Sequence, residues 1–342
     1  MKIAFTICTN SFLSLARAAA KSFLSHHHDY EFFVGIIDPP DPRIENYYKG
    51  FTIVNCDQIG VEELDPMARI YNISELSCAL KSYFTRYFIK EYPSASEILY
   101  LDADLFFYAP LTELPDLHKQ YDIVLTPHII KPMVFDGKQP DEIAYLATGT
   151  YNGGFFSIRV TENSCRFIDW WCERMRHYCF YSLDQGLFVD QKWMNLVPVF
   201  FEKVFIIKSA GYNVSYWNLH ERSISFNDNQ YWVNKDDKLR FFHFSSINLK
   251  QGILFYKQQD RFSDASLPLV KELFVKYREL VFQEGYDQTS TSPSFYGKIF
   301  KENEAAMLRK TLKGRLKLWI KNNVSEKRKA KLKQSLKGLF GS

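Results

Sequence analysis

Six short apolar runs, separated by turns or by segments with helical spacing, constrain the fold of this 342-residue chain more than any other feature. They lie at residues 2–8 (KIAFTIC), 31–37 (EFFVGII), 51–55, 97–101 (EILYL), 121–126 (YDIVLT) and 153–159. The 97–101 run is nearly continuous in apolar residues, as in a central strand covered on both faces. Between the runs, residues 11–25 place Leu13, Ala16, Ala20, Phe23 and Leu24 on one helical face, with Asn10 or Ser11 as cap. Residues 74–91 do the same with Leu76, Leu80, Tyr83, Phe84, Tyr87 and Phe88. Further helices are expected over 162–180 and 266–284, and Asp38-Pro39-Pro40-Asp41-Pro42 forces a loop. Alternation of this kind predicts a doubly wound α/β fold. Beyond about residue 200 the pattern is irregular.

Charge divides the chain unevenly. Residues 298–342 hold 14 Lys+Arg against 3 Asp+Glu, a local +11 that leaves −7 on the rest of a chain whose total is +4. We therefore expect a catalytic domain over 1–284, a polar linker over 285–297 and a basic helical tail over 298–342. Leu308, Leu312, Leu316, Trp319, Ile320, Leu332, Leu336 and Leu339 interleave with the tail's cations. Such helices suit an anionic membrane surface, or equally a solvated tail or oligomer contact. The acidic remainder, with no recognised binding motif, argues against nucleic acid as the partner. The apolar N-terminal stretch is broken by Thr9, Asn10, Ser11 and Arg17, unlike a signal peptide, and no run approaches the ~20 residues that span a bilayer. The six cysteines form no C-x-x-C pair, and Cys165, Cys172 and Cys179 recur every seven residues on one helix. They read as small buried hydrophobes in a reducing, cytoplasmic setting.

The sharpest local feature is Leu99-Tyr100-Leu101-Asp102-Ala103-Asp104, a strand that ends in two carboxylates. Residues i and i+2 of an extended chain point the same way, and two carboxylates aimed at one point repel unless a cation lies between them. Ligands of open α/β sheets bind beyond the carboxyl ends of the strands. The chain has no G-x-G-x-x-G and no G-x-x-x-x-G-K-[ST], which speaks against a dinucleotide oxidoreductase and a P-loop kinase and leaves metal-bridged diphosphate binding.

On these motifs the chain resembles GT-A fold glycosyltransferases, and is most similar to glycosyltransferase family 8, the glycogenin and bacterial lipopolysaccharide galactosyl- and glucosyltransferase type. The matching pieces occur in order: C-T-N-S after the first strand, L-Y-L-D-A-D, Y-N-G-G-F at 151–155, D-Q-x-x-x-N at 190–195, and His-Phe-Ser at 243–245. The resemblance covers residues 1 to about 255. It implies a Rossmann-like, mixed and mostly parallel sheet with a metal, Mn²⁺ or Mg²⁺, on Asp102, Asp104 and His243. An imidazole ligand favours Mn²⁺. It implies that Thr6, Thr9 and Asn10 line the base and ribose, that one of Lys81 and Arg86 faces donor phosphate or sugar while the other is a solvated helix charge, and that Lys250 binds the pyrophosphate. Asn152, with Gly153 and Gly154, and the pair Asp190-Gln191 would contact the donor sugar at the reacting carbon. Asp184-Gln185 is a rival pair, set aside because Asn195 and Tyr212-Asn213 follow Asp190 at family-like spacing. The departures are Ser246 for a glycine, Lys250-Gln251-Gly252 for K-P-W, and Lys192 for an acid.

The function implied is transfer of a sugar from a nucleotide-diphosphate donor, UDP-sugar favoured, to a glycan or lipid-linked glycan in cell-surface polysaccharide or lipopolysaccharide assembly. The family retains configuration; an inverting enzyme would need a base such as His128 or Asp184. Two rivals belong to other classes. A sugar nucleotidyltransferase would carry a glycine-rich basic loop where this chain has Cys8-Thr9-Asn10-Ser11. A non-catalytic basic binding protein would leave the Asp102/Asp104 pair without a purpose.

Overall fold

The first apolar run forms strand β1 (Lys2–Cys8), and the next expected strands form as β2 (Tyr30–Ile36), β3 (Thr52–Asn55) and β4 (Glu97–Leu101). A short strand not expected from sequence, β5 (Leu105–Phe107), follows at once, and β6 (Ile123–Pro127) and β7 (Tyr151–Arg159) come after it. The computed structural model describes residues 1–255 and 258–310. Its main sheet has seven strands, in the order Val204–Ile206, β6, β7, β4, β1, β2, β3. Strands β4, β1, β2 and β3 are parallel, β7 is antiparallel to both its neighbours, and Val204–Ile206 runs parallel to β6. The sheet is mixed and mostly parallel, flanked by helices, as the strand–helix alternation and the resemblance together led us to expect.

Both faces of the sheet are covered, which is why its strands read as apolar runs rather than as alternations. On one face Ala4, Leu99, Leu101 and Phe155 pack with helix α1 (Leu13–Leu24) and with the helix Pro268–Gln283. On the other, Phe5, Ile98, Tyr100 and Phe156 pack with α3 (Ile73–Glu91) and with the helix Glu162–Tyr178. Asn72 caps α3: its side chain accepts from the Ser74 and Glu75 amides, and Glu75 returns a carboxylate to the Asn72 amide at 2.9 Å. A helix not anticipated, α2 (Leu64–Ile70), precedes it. Cys172 and Cys179 are buried, Cys165 is half-buried, and all six cysteines are free.

The segment expected as a linker is partly helical. It contains the helix Tyr286–Thr289 and the start of the helix Phe295–Arg309, so a boundary at residue 298 falls inside a helix. Asp38, at the end of β2, accepts from the Phe295 amide at 2.9 Å and the Ser294 hydroxyl at 3.1 Å, which ties that helix to the sheet. The tail beyond residue 310 lies outside the described residues. No helix among the described residues is long and apolar enough to cross a membrane.

Candidate active site

Strand β4 delivers Asp102 and Asp104 at its carboxyl end, and three backbone bonds hold them there. The Asp102 amide donates to Gly154 O on β7 at 2.8 Å, and the Phe244 amide donates to Asp104 O at 2.9 Å. The Leu105 amide donates to Asp102 O at 3.2 Å and closes the turn. Strand β5 then pairs antiparallel with Phe241–His243, setting His243 opposite Leu105. This pairing joins residues about 140 positions apart and brings the imidazole to the carboxylates. His243 Nε2 lies 3.0 Å from Asp104 Oδ1 and 3.9 Å from Asp102 Oδ2. One ligand atom from each of Asp102, Asp104 and His243 lies within 4.8 Å of the others.

The orientation of His243 is imposed from behind. Its Nδ1–H donates to Asn213 Oδ1 at 3.0 Å, and the Asn213 amide nitrogen donates to Thr126 Oγ1 at 3.3 Å. Nε2 is therefore the atom that faces the carboxylates, the arrangement metal-ligating histidines use. Trp217 packs edge-on against the ring, with centroids 5.0 Å apart. Burial lowers the imidazole pKa, but Asp104 beside it outweighs burial and raises it. Burial likewise raises the Asp104 carboxyl, and His243 outweighs that and holds it below the usual carboxylate range. Two oxygen donors and one nitrogen donor in this arrangement suit a borderline or hard divalent ion.

Behind the carboxylates, Lys81 on α3 is clamped between two acids. Its Nζ lies 3.2 Å from Asp102 Oδ1 and 3.1 Å from Asp190 Oδ2, and donates to Gly153 O at 3.0 Å. Burial would lower the lysine pKa, but the two carboxylates raise it well above its ordinary value. Burial is also the largest influence on Asp190 and raises its carboxyl, against Lys81. The Tyr100 hydroxyl donates to Asp102 Oδ1 at 2.5 Å.

The glycines at 153 and 154 make room for this cluster. A Cβ on Gly154 would sit 2.6 Å from Asp102 Oδ2 and 2.6 Å from His243 Cε1, and one on Gly153 would sit 2.7 Å from Asp190 Oδ2. Here the requirement is close approach rather than a special φ.

Two cavities meet at the cluster and share Cys78, Lys81, Asp102, Asp104 and Tyr181. One, of about 370 Å³, is lined by Cys8, Thr9, Ser11, Phe12, Ser74, Ser77 and Ser294 besides the shared residues. The other, of about 650 Å³, adds Asn152, Gly153, Gly154, Asp190, Gln191, His128 and Trp217. Asn152 Oδ1 accepts from the Gly154 amide at 3.0 Å, and Gln191 Nε2 donates to Thr148 O at 3.0 Å.

Asp102, Asp104, His243, Lys81, Asn152, Asp190, Gln191 and Thr9 thus come together at or around one centre. Of Lys81 and Arg86 it is Lys81 that faces the cluster, and three other expectations, at Lys250, Thr6 and Asn10, need correction. Arg86 points elsewhere, its guanidinium over the Tyr83 ring at 4.9 Å, because five helical residues turn it about 140° away from Lys81. Lys250 is exposed at the tip of a turn closed by the Asn248–Ile253 backbone pair, and lines none of the described cavities. Thr6 is fully buried in the sheet. Asn10 is buried and consumed by Pro39 O at 2.8 Å and the Tyr48 hydroxyl at 2.8 Å. Asp184 is exposed and accepts from Ser182, so geometry favours Asp190-Gln191 as the pair at the cavity. Ser246 adopts φ 56°, the left-handed region that a glycine would occupy more easily. Asn213 and Trp217 were not singled out as site residues, since nothing local marks a residue whose role is to hold another side chain.

No family model matches the chain. It is similar to the uncharacterized protein YfnF of Bacillus subtilis (strain 168), 25% identical over 300 residues that span 87% of this chain and 97% of the other. Among solved structures it is similar to the galactosyltransferase LgtC with donor and acceptor sugar analogues, at TM-score 0.47 and 16% identity, over 82% of this chain and 95% of that one. It is also similar to the glycosyltransferase GlyE of Streptococcus pneumoniae TIGR4, at TM-score 0.45 and 15% identity, over 86% of this chain and 66% of that one. Likeness at this distance carries no argument about the reaction.

Proposed function

We propose that the chain is a metal-dependent glycosyltransferase that moves a sugar from a nucleotide-diphosphate donor, UDP-sugar favoured, to a glycan or lipid-linked glycan. The observation that carries this reading is the convergence of Asp102, Asp104 and His243 within 4.8 Å where two cavities meet. The smaller cavity, rich in hydroxyls, would take the nucleoside, and the larger the transferred sugar and its acceptor. Asp102, Asp104 and His243 would hold Mn²⁺ or Mg²⁺, which when bound neutralises charge on the departing diphosphate. Lys81 places a cation between Asp102 and Asp190, 3.2 Å from one carboxylate and 3.1 Å from the other. Asp190 would face the positive charge that develops at the anomeric carbon, and Asn152 and Gln191 would orient the sugar hydroxyls.

Retention of configuration is the outcome we favour. An inverting route needs a base on the acceptor side. The acids on the larger cavity's wall are Asp102, Asp104 and Asp190, all engaged in the cluster. His128 is a poor base: burial lowers its pKa to about 4, and its Nε2 accepts from Asn152 Nδ2 at 3.1 Å. Assembly of a cell-surface polysaccharide or lipopolysaccharide at the cytoplasmic leaflet, with the basic tail on the membrane, completes the reading.

The test is a thermal-shift panel of UDP, GDP, CMP and dTDP with Mn²⁺. At least one nucleotide is expected to raise the melting temperature of the wild type only when metal is present, and Asp104→Ala is expected to remove that shift. Absence of any shift across the panel defeats the donor assignment.

A further inference from the structure

The smaller of the two cavities at the cluster draws one wall from the far end of the chain. Cys8 and Thr9 line it from the turn after β1, Ser74 and Ser77 from the start of α3, and Ser294 from the C-terminal segment. Strands β4, β1 and β2 are neighbours, so Asp102 at the end of β4 and Asp38 just past β2 stand two strand spacings apart, about 10 Å. Ser294 lies at the β2 side, because its hydroxyl donates to Asp38 Oδ1 at 3.1 Å. The same hydroxyl oxygen accepts from the Gly297 amide at 3.0 Å, and the Phe295 amide donates to Asp38 Oδ1 at 2.9 Å. A residue of the cavity wall is therefore also the cap on which the helix Phe295–Arg309 starts.

That helix is held chiefly by its first turn. Of its 15 residues only Tyr296 and Gly297 are buried. Phe295 is 50% exposed and Met307 57%. Gly297 packs on Ile73 at the start of α3, where a Cβ would lie 3.6 Å from Ile73 Cβ, and Ile73 lines the same cavity. Further along, Asn303 Nδ2 donates to Arg69 O at 2.8 Å. Elements with few buried side chains open at a lower free energy than the core, so one more contact at the first turn weighs heavily on whether this helix stays docked.

We propose, resting on the reading of this cavity as the nucleoside's, that the nucleoside contacts Ser294, which makes the C-terminal helix part of the donor site. A nucleoside that extends from a diphosphate at Asp102 toward β2 meets the Ser294 hydroxyl. A hydroxyl has one donor and two acceptor sites. Asp38 takes the donor and Gly297 one acceptor, which leaves one lone pair for an O–H or N–H of the ribose or base. The ligand then bridges the ends of the strands and the first turn of the helix. Nucleotide binding and helix docking stabilise each other by the same factor, because coupling between two equilibria is reciprocal. The helix leads into the basic residues beyond 310, so donor occupancy is tied to the point from which the tail departs.

The test follows amide hydrogen exchange in the full chain with Mn²⁺ and whichever of UDP, GDP, CMP and dTDP gives the largest melting shift. The nucleotide is expected to slow exchange over residues 9–12 and 74–78, which reports an occupied cavity, and over 295–299, which reports the docked helix. Tyr296→Ala removes the buried anchor of the helix at a position outside the cavity wall. It is expected to speed exchange over 295–299 in the free protein and to weaken nucleotide binding about fivefold or more in a calorimetric titration. Should that variant not fold, Asn303→Ala loosens the helix through its bond to Arg69 and is expected to act in the same direction. Met307→Ala, at the exposed end of the same helix, should leave the affinity unchanged. An occupied cavity with unaltered exchange over 295–299, or a loosened helix with wild-type nucleotide affinity, overturns the coupling and leaves the donor assignment standing. Absence of binding by every nucleotide overturns both.

Discussion

Gly154→Ala tests the geometry of the metal cluster with a single methyl group. Gly154 lies in β7, and its backbone carbonyl accepts from the Asp102 amide at 2.8 Å. A Cβ there would stand 2.6 Å from Asp102 Oδ2, 2.6 Å from His243 Cε1 and 2.8 Å from Asn152 Oδ1. Heavy atoms rest at roughly 3.5 Å or more, so two ligands must retreat by about 1 Å. Metal sites tolerate only ~0.2 Å in ligand distance. Perturbations of ligand support typically cost 10–100-fold in affinity, and we expect a loss in that range. With Mn²⁺ at 100 times the wild-type Kd, binding stabilises the wild type by ~2.7 kcal/mol, and the variant by only ~1.4 to ~0.4 kcal/mol. At roughly 2 °C per kcal/mol in a chain of this size, a shift of ~5 °C falls to ~1–3 °C. Overpacking also lowers the metal-free stability by ~1–3 kcal/mol, which the scan without metal measures separately. A Gly154→Ala protein that keeps the full Mn²⁺ shift refutes the claim that this close approach shapes the site.

Lys81→Met is expected to destabilise the fold by ~3–5 kcal/mol, because it leaves Asp190, whose side chain is 2% exposed, without its counter-charge. Adding Asp190→Asn should recover part of that loss in a denaturant titration, and a single-variant cost below ~1 kcal/mol would contradict the buried clamp. His27 concerns pH rather than metal. It is buried, its Nδ1–H donates to Phe23 O at 2.9 Å, and its Nε2 accepts from the Leu111 amide at 2.8 Å. Burial lowers its pKa from the ordinary 6.5 to about 4, so between those values the unfolded chain binds the extra proton and stability falls as pH falls. The slope contributed is up to ~1.4 kcal/mol per pH unit, and His27→Gln should flatten it. Equal slopes in wild type and variant would show that His27 does not control it.

The strands were legible because a strand covered on both faces must be apolar along its length, as Glu97–Leu101 is but for its first residue. The long helices were legible from the spacing of Leu76, Leu80, Phe84 and Phe88, all fully buried. Short helices escaped notice. Leu64–Ile70 carries Pro66, and Glu142–Thr148 turns two of its apolar residues to solvent, so neither has an apolar stripe to read. The polar stretch at 285–297 looked like a linker, yet Thr289 and Ser292 are buried, and Asp38 caps the helix that begins at Phe295. Composition reports what side chains are, not which distant carboxylate accepts from their amides.

By itself the sequence settled the α/β class, the strand that ends in Asp102 and Asp104, and the absence of a phosphate-binding glycine loop. These are local properties, set by side-chain period and by i, i+2 geometry. The tertiary structure alone decided that β7 runs antiparallel and brings Gly154 against Asp102, that Lys81 rather than Arg86 faces the cluster, and that Asn213 aims His243 at the carboxylates. Those facts depend on strand direction, helix phase and contacts between residues far apart in the chain. An apolar run has the same appearance in either direction, and the force that orients a side chain comes from a neighbour the local sequence does not contain.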